Sequence, residues 1–363
     1  MKPPLPAKSL VSHLNKGHSV HVPGFLTVLG TALLLTGCAH SPMHANHANH
    51  EYTESSLSAL ETLYDYRLID TQSNTPIHLN QLVQQLKDKD VIFIGEFHGN
   101  QASHLLEAQL QAALFQQHPN QILSLEQFNR DQQPILNRYL EGTIGEKTLI
   151  KEAPTWPNYA GSYRPMVEFA KQQFLPVIAA NAPAQTVRCV GRQGIDYLQK
   201  LSHTERSLIA QDPFHSTPAY NEKFQQFLAD QMGSAHSENN HGKPPSNRYM
   251  AQLLRDNTMA ESINQVLKQS PEAQVLHLNG AFHSNESLGT VAALKRLNPS
   301  LNIAVISPVR VTDPKKPRYQ LSDLTLGDYL YLIQPQPVDY VQASKRQAAF
   351  KAMFKNAAQK PCR

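Results

Sequence analysis

Val91-Ile92-Phe93-Ile94-Gly95-Glu96-Phe97-His98 reads as a buried strand that stops at a glycine and then presents an acid and a histidine. The pattern returns far along the chain, where Gly280-Ala281-Phe282-His283 closes a second apolar run. Each such strand end supplies half of a polar site, so the two copies of Gly-x-x-His predict one site assembled from distant parts of the chain. Outward from Val91, short apolar runs alternate with longer amphipathic ones. That is the pattern of an α/β fold with a mostly parallel open sheet covered by helices.

Strands are expected at Val91 to Glu96, Ile122 to Glu126, Pro176 to Asn181, Gln274 to Gly280 and Asn302 to Val309, with Tyr329 to Ile333 adding an edge strand. Leu106, Leu110, Ala113 and Leu114 recur at helical spacing directly after the first run. Further helices are expected at Pro165 to Phe174, Ala184 to Leu201, Tyr220 to Met232, Arg248 to Lys268 and Leu288 to Leu297. The stretch between the third and fourth runs is too long for one crossover helix, so 187–270 reads as a helical insertion or subdomain. Within it, 233–247 is rich in Gly, Ser, Asn and Pro and reads as a flexible loop, with His236 and His241 solvated.

Ligands of open parallel sheets bind at the carboxyl ends of the strands. Here those ends carry Glu96 and His98, then Glu126 and Gln127, then Asn181, then Asn279 and His283. His104, on the first turns of the following helix, either leans over the same cleft or sits as a partly exposed helix residue. His277 shares a sheet face with Asn279 but lies inside its strand, where a packed, hydrogen-bonded histidine is expected. Two histidines with one or two carboxylates suit a divalent metal with an open position, a bound anion, or general acid and base work, and spacing does not separate these. The chain has no Gly-x-Ser-x-Gly, Gly-x-x-x-x-Gly-Lys or His-Glu-x-x-His, which excludes several familiar mechanisms.

The first fifty residues contain no Asp or Glu, carry Lys2, Lys8 and Lys16, and include a mostly apolar run from Phe25 to Leu35. That run is shorter than the roughly 20 residues of a permanent span. It leads into Leu35-Thr36-Gly37-Cys38, which resembles a bacterial lipoprotein cleavage box, so 1–37 is expected to be a signal peptide removed to leave a lipidated Cys38. Ala39 after the cysteine points to the outer membrane, facing the periplasm. Residues 38–56 then form a tether with His40, His44, His47 and His50. Cleavage lowers the formal charge from +4 to +1. With no Lys/Arg cluster interleaved with aromatics, nucleic acid is not an expected partner. An oxidising periplasm would allow Cys189 and Cys362 to pair, which sequence alone leaves open.

Several separated blocks resemble the ChaN family of haem-binding uptake lipoproteins. They are the Val91 to His98 run, Leu125-Glu126-Gln127-Phe128, Trp156-Pro157-Asn158-Tyr159 with Tyr163-Arg164-Pro165, and Pro176 to Pro183. Arg255 to Ala260, Asn279 to His283 and Asp339-Tyr340-Val341 continue the series in order. The resemblance implies a ChaN-like α/β domain over 57–345 followed by a C-terminal tail, 346–363. It also implies haem held at a homodimer interface by a tyrosine, a known axial ligand. Tyr220 and Tyr249, in or beside the helical insertion, are the candidate ligands, with Tyr159 and Tyr163 as alternatives. An outer-membrane haem receptor is an implied partner. The wider superfamily is similar to the Tiki metalloproteases and the erythromycin esterases, which implies an alternative, a metal-dependent hydrolase using Glu96, His98, Glu126 and His283.

Overall fold

The computed structural model describes residues 57–154, 156–232 and 246–362. The expected signal peptide, Cys38, the histidine-rich tether and nearly all of the 233–247 loop lie outside the described residues.

The chain builds strands β1 (Tyr66–Asp70), β2 (Thr75–Ile77), β3 (Val91–Glu96), β4 (Gln121–Asn129), β5 (Val177–Asn181), β6 (Gln274–Gly280), β7 (Ile303–Arg310) and β8 (Tyr329–Ile333). Its first helices are α1 (Leu79–Leu86), α2 (Gln101–Gln117), α3 (Gln133–Leu140), α4 (Glu146–Glu152), α5 (Tyr159–Ser162) and α6 (Arg164–Gln172). Then come α7 (Ala184–Gln193), α8 (His203–Ser207), α9 (Pro218–Met232), α10 (Asn247–Gln269), α11 (Thr290–Leu297) and α12 (Ala343–Gln359). The strands form one sheet in the order β2-β1-β8-β7-β3-β6-β4-β5. Pairing is parallel from β8 through β5 and antiparallel only where β1 joins β8 and β2.

The uninterrupted apolar runs follow from this layering, because a sheet covered on both faces buries every residue of its inner strands. Ile92 and Ile94 of β3 face a core shared with Leu106, Leu110 and Leu114 of α2 and Met166 of α6. Val91 and Phe93 face the opposite core, closed by Ile263 and Leu267 of α10 and Val291 and Leu294 of α11.

Two expectations need correction. Tyr329 to Ile333 is not an edge strand, because the β1–β2 hairpin pairs onto its outer side. That hairpin precedes Val91 and is short and half polar, so its sequence lacks the buried-run signal. The helix expected from Ala184 to Leu201 breaks at Gly194, whose φ of 80° leaves the helical region; a 3-10 segment, Ile195–Lys200, follows. Within the C-terminal tail, α12 spans most of the length, and Cys362 is disulfide-bonded to Cys189 of α7 with Cα atoms 5.5 Å apart. The helical addition to the sheet is built from α7 to α10.

Candidate functional site at the carboxyl ends of the parallel strands

The two Gly-x-x-His segments meet because each glycine leaves room for the other segment. A Cβ on Gly95 would lie 3.0 Å from the Ala281 Cα, and one on Gly280 would lie 2.8 Å from the His98 Nε2. Parallel pairing of β3 with β6, Glu96 opposite Gly280, sets this contact. A bulge in β4 between Leu125 and Asn129 turns Glu126 and Gln127 toward the same end.

Two polar clusters share this junction. In the first, Oε1 of the buried Glu96 accepts from Tyr163 (2.7 Å) and Gln127 (2.8 Å) and lies 2.8 Å from the His98 Nδ1. His98 packs edge-on against Trp156 and keeps 41% of its side chain exposed, so it is the member of the cluster that meets the cleft. Burial lowers its pKa, but the hydrogen bond and charge of Glu96 outweigh that and leave it raised. Deeper in, the His104 Nδ1 lies 2.9 Å from Glu107 Oε2 and 3.2 Å from Glu96 Oε2. The Gly99 amide donates to His104 Nε2 at 3.1 Å, a role that places the ring proton on Nδ1, between the two carboxyls. Burial, and then the Glu96 charge, push the Glu107 carboxyl up to about 7, while His104 is raised by Glu107 and Glu96 against the opposing effect of burial.

In the second cluster, Glu126 accepts from the Gly280 amide through Oε2 (2.6 Å) and faces His283 Nε2 through Oε1 (3.4 Å). The other ring nitrogen, Nδ1, lies 2.7 Å from Asp256 Oδ1. Tyr220 and Thr290 both donate to Asp256, at 2.7 and 2.8 Å. Burial alone would lower the pKa of His283, yet the carboxylates of Glu126 and Asp256 raise it to about 10, and His283 holds Glu126 well below the usual carboxylate range. His283 is therefore an imidazolium clamped between two acids, not a free base. Asn181 bridges to the Glu126 carbonyl (3.0 Å), and Asn279 to Ser284 (3.0 Å), both as supports of the strand ends. His277 is fully buried with Nδ1 on Ser124 (2.9 Å), as expected of a packed strand histidine, and burial lowers it to about 3.

The structure thus gathers Glu96, His98, His104, Glu126, Asn181, Asn279 and His283 at one end of the sheet. It adds Glu107 and Asp256, which sequence reasoning missed. The signal for Glu107 was a polar stripe, Ser103, His104, Glu107 and Gln111, at helical spacing and buried on α2. Asp256 is likewise an acid on the apolar face of α10, between Leu253 and Ala260.

Glu96, His104 and Glu107 bring three donor atoms within 4.8 Å of one another, and among the described residues Glu96 Oε2 and Glu107 Oε1 lack a hydrogen-bond donor in good geometry. Hard oxygens with an imidazole are a donor set for a divalent cation. As built, however, the Nδ1 proton of His104 occupies the position a cation would take, and a metal must displace it.

The four tyrosines singled out in the sequence are all buried. Tyr163 serves Glu96, Tyr220 serves Asp256, Tyr249 bonds Ser216, and the Tyr159 hydroxyl has no hydrogen-bond partner among the described residues. Burial raises the pKa of each phenol, so in this conformation each keeps its proton and turns its oxygen inward.

Fold and site together define an open α/β protein with a buried carboxylate–histidine junction at its strand ends. The family described as "Haem-binding uptake, Tiki superfamily, ChaN" matches residues 82–294, more than half of the chain. The chain belongs to this family, which is described by haem binding and uptake, not by a catalysed reaction. Among solved structures it is similar to ChaN of Campylobacter jejuni, solved for cofacial haem binding. The two share 16% identity over 75% of this chain and 98% of that one, with a TM-score of 0.55, which shows a common fold. An erythromycin esterase mutant, EreC, in its open conformation shares 14% identity over 79% of this chain and 87% of that one, with a TM-score of 0.41. No curated protein sequence matches the chain.

Proposed function

We propose that the chain is a haem-binding lipoprotein of the outer membrane, anchored at Cys38 and facing the periplasm, that serves haem or iron acquisition by holding haem through a tyrosine at a homodimer interface. The observation that carries this reading is the family match over residues 82–294. Cofacial haem binding, as described for the Campylobacter jejuni protein, suits two copies of one chain meeting at their ligand sites. Export to an oxidising compartment accords with the bond between Cys189 and Cys362. No helix among the described residues is long and apolar enough to cross a membrane. An outer-membrane haem receptor is the expected partner.

The full chain, purified in detergent from cells grown with haemin, is expected to carry haem and to sediment as a dimer. A haem-free monomer from the same cells would defeat the proposal.

A hydrolase is the second reading, favoured by one observation: the exposed His98, oriented by a buried Glu96, has the geometry of a general base. In its metal-dependent form Glu96, His98, Glu126 and His283 would hold or activate the metal-bound water, with Glu107 and His104 close by. Elemental analysis tests that form. It requires stoichiometric divalent metal in the wild type and its loss in His98→Ala and His283→Ala.

A further inference from the structure

A haem-ligating tyrosine has to bring its oxygen to a surface that also fits a flat apolar ring carrying two carboxylates. Among the described residues, one cleft combines these features. It has a volume of about 880 Å³, and its lining includes His98, Arg310, Val338, Asp339, Tyr340 and Arg346. The chain leaving β8 makes one wall. Gln336 donates to the His98 carbonyl (3.3 Å), and Asn100 donates to that of Gln334 (3.3 Å), which fastens this wall to the first Gly-x-x-His turn. Tyr340 is 42% exposed and Val338 73% exposed, in contrast to the four inward-facing tyrosines. Arg310 stacks on Phe97, with its guanidinium carbon 3.6 Å from the ring centroid. The motif that presents His98 therefore also orients Arg310. Neither Arg310 nor Arg346 has a carboxylate at ion-pair distance among the described residues, whereas Arg130, Arg138, Arg164 and Arg296 all do.

The groove along α9 is the rival, with Phe227 and Phe282 on its walls. Its cation, Lys223, already pairs with Glu286 at 3.4 Å, and the nearby Tyr220 hydroxyl is committed to Asp256.

We propose that the cleft over His98 is the haem site of this chain, with Arg310 and Arg346 taking the two propionates and Tyr340 supplying the axial oxygen. Arginine meets a carboxylate through paired, charge-assisted hydrogen bonds, which gives orientation as well as attraction. Binding releases the phenol proton to solvent as the phenolate oxygen replaces water on ferric iron. The assignment rests on the haem-binding reading, and it uses residues beyond the segment the family match covers.

The test titrates haemin and haemin dimethyl ester into the full chain in detergent and into three variants: Arg310→Ala with Arg346→Ala, Tyr340→Phe, and Tyr64→Phe. All of the cleft residues exchanged are at the surface, so loss of folding does not confuse the result. Wild type is expected to prefer haemin to its ester. The double arginine variant should bind haemin about tenfold or more weakly and lose that preference, the loss of charge-assisted hydrogen bonds being large on this scale. Tyr340→Phe should lose the phenolate-to-iron charge-transfer band, and Tyr64→Phe, which exchanges an exposed tyrosine outside the cleft, should keep it. Wild-type affinity in the double variant, or a band that survives in Tyr340→Phe, overturns the cleft assignment and leaves haem binding standing. A wild type that binds neither compound overturns both.

Discussion

His283 is the residue on which the strand-end junction turns. Unfolded, its ring loses its proton near the usual 6.5; folded, Glu126 and Asp256 hold that proton up to about 10. Between those values the native state binds the extra proton, so stability falls as pH rises. The contribution is complete below the unfolded value and gone above the folded one. The lowered pKa of Glu126 is the same ion pair seen from the acid, lost instead as pH falls. Urea midpoints at about pH 6 and about pH 9.5 should therefore differ, with the alkaline value lower. Asp256→Asn should flatten that difference and cost about 1–3 kcal/mol near neutrality, because buried donors lose a charged acceptor. An unchanged alkaline slope in the variant would show that His283 does not hold the proton. His283 and Glu126 were legible as strand-end polar residues. Asp256 was not, because it reaches the site from a helix far away in sequence, and only the packing of α10 beside β6 brings it in.

At the scale of elements, the junction depends on β3 and β6 lying side by side with glycines at facing ends. Gly280→Ala places a methyl where the His98 ring now lies, at 2.8 Å from Nε2. The substitution is expected to cost about 1–3 kcal/mol of stability as an overpacked contact, and to swing His98 away from Glu96. The readout is the His98 imidazole titration by NMR, which should fall toward the value of an unpartnered histidine; an unmoved titration would show that the ring is not seated there. The inner strands were readable because burial on both faces leaves an unbroken apolar run. The β1–β2 hairpin was not, because the apolar pair Leu68-Ile69 is interrupted at once by Arg67 on one side and Asp70 on the other. The break in the helix after Gln193 was signalled by Gly194, but apolar spacing on both sides of it concealed the change.

For the whole molecule, the parallel α/β class was legible in the alternation of runs, whereas the strand order was not, since nothing local tells β3 to lie between β7 and β6. The same holds for the disulfide, which joins residues 173 apart in sequence. Such a cross-link restricts the unfolded chain, and its reduction should cost about 2–5 kcal/mol. Denaturation with and without reductant measures this, and equal midpoints would mean that the C-terminal segment adds nothing to the folded body. That segment follows directly on the wall of the cleft that contains Tyr340, so reduction should also weaken ligand binding there if α12 helps to shape it. Whether this chain carries haem is decided by titrating haemin into the cofactor-free full chain while recording absorbance. Saturation near about one haem per chain, with a phenolate-to-iron charge-transfer band, is the predicted result. A rise that tracks a non-specific control without saturating would contradict it and give first place to the hydrolase.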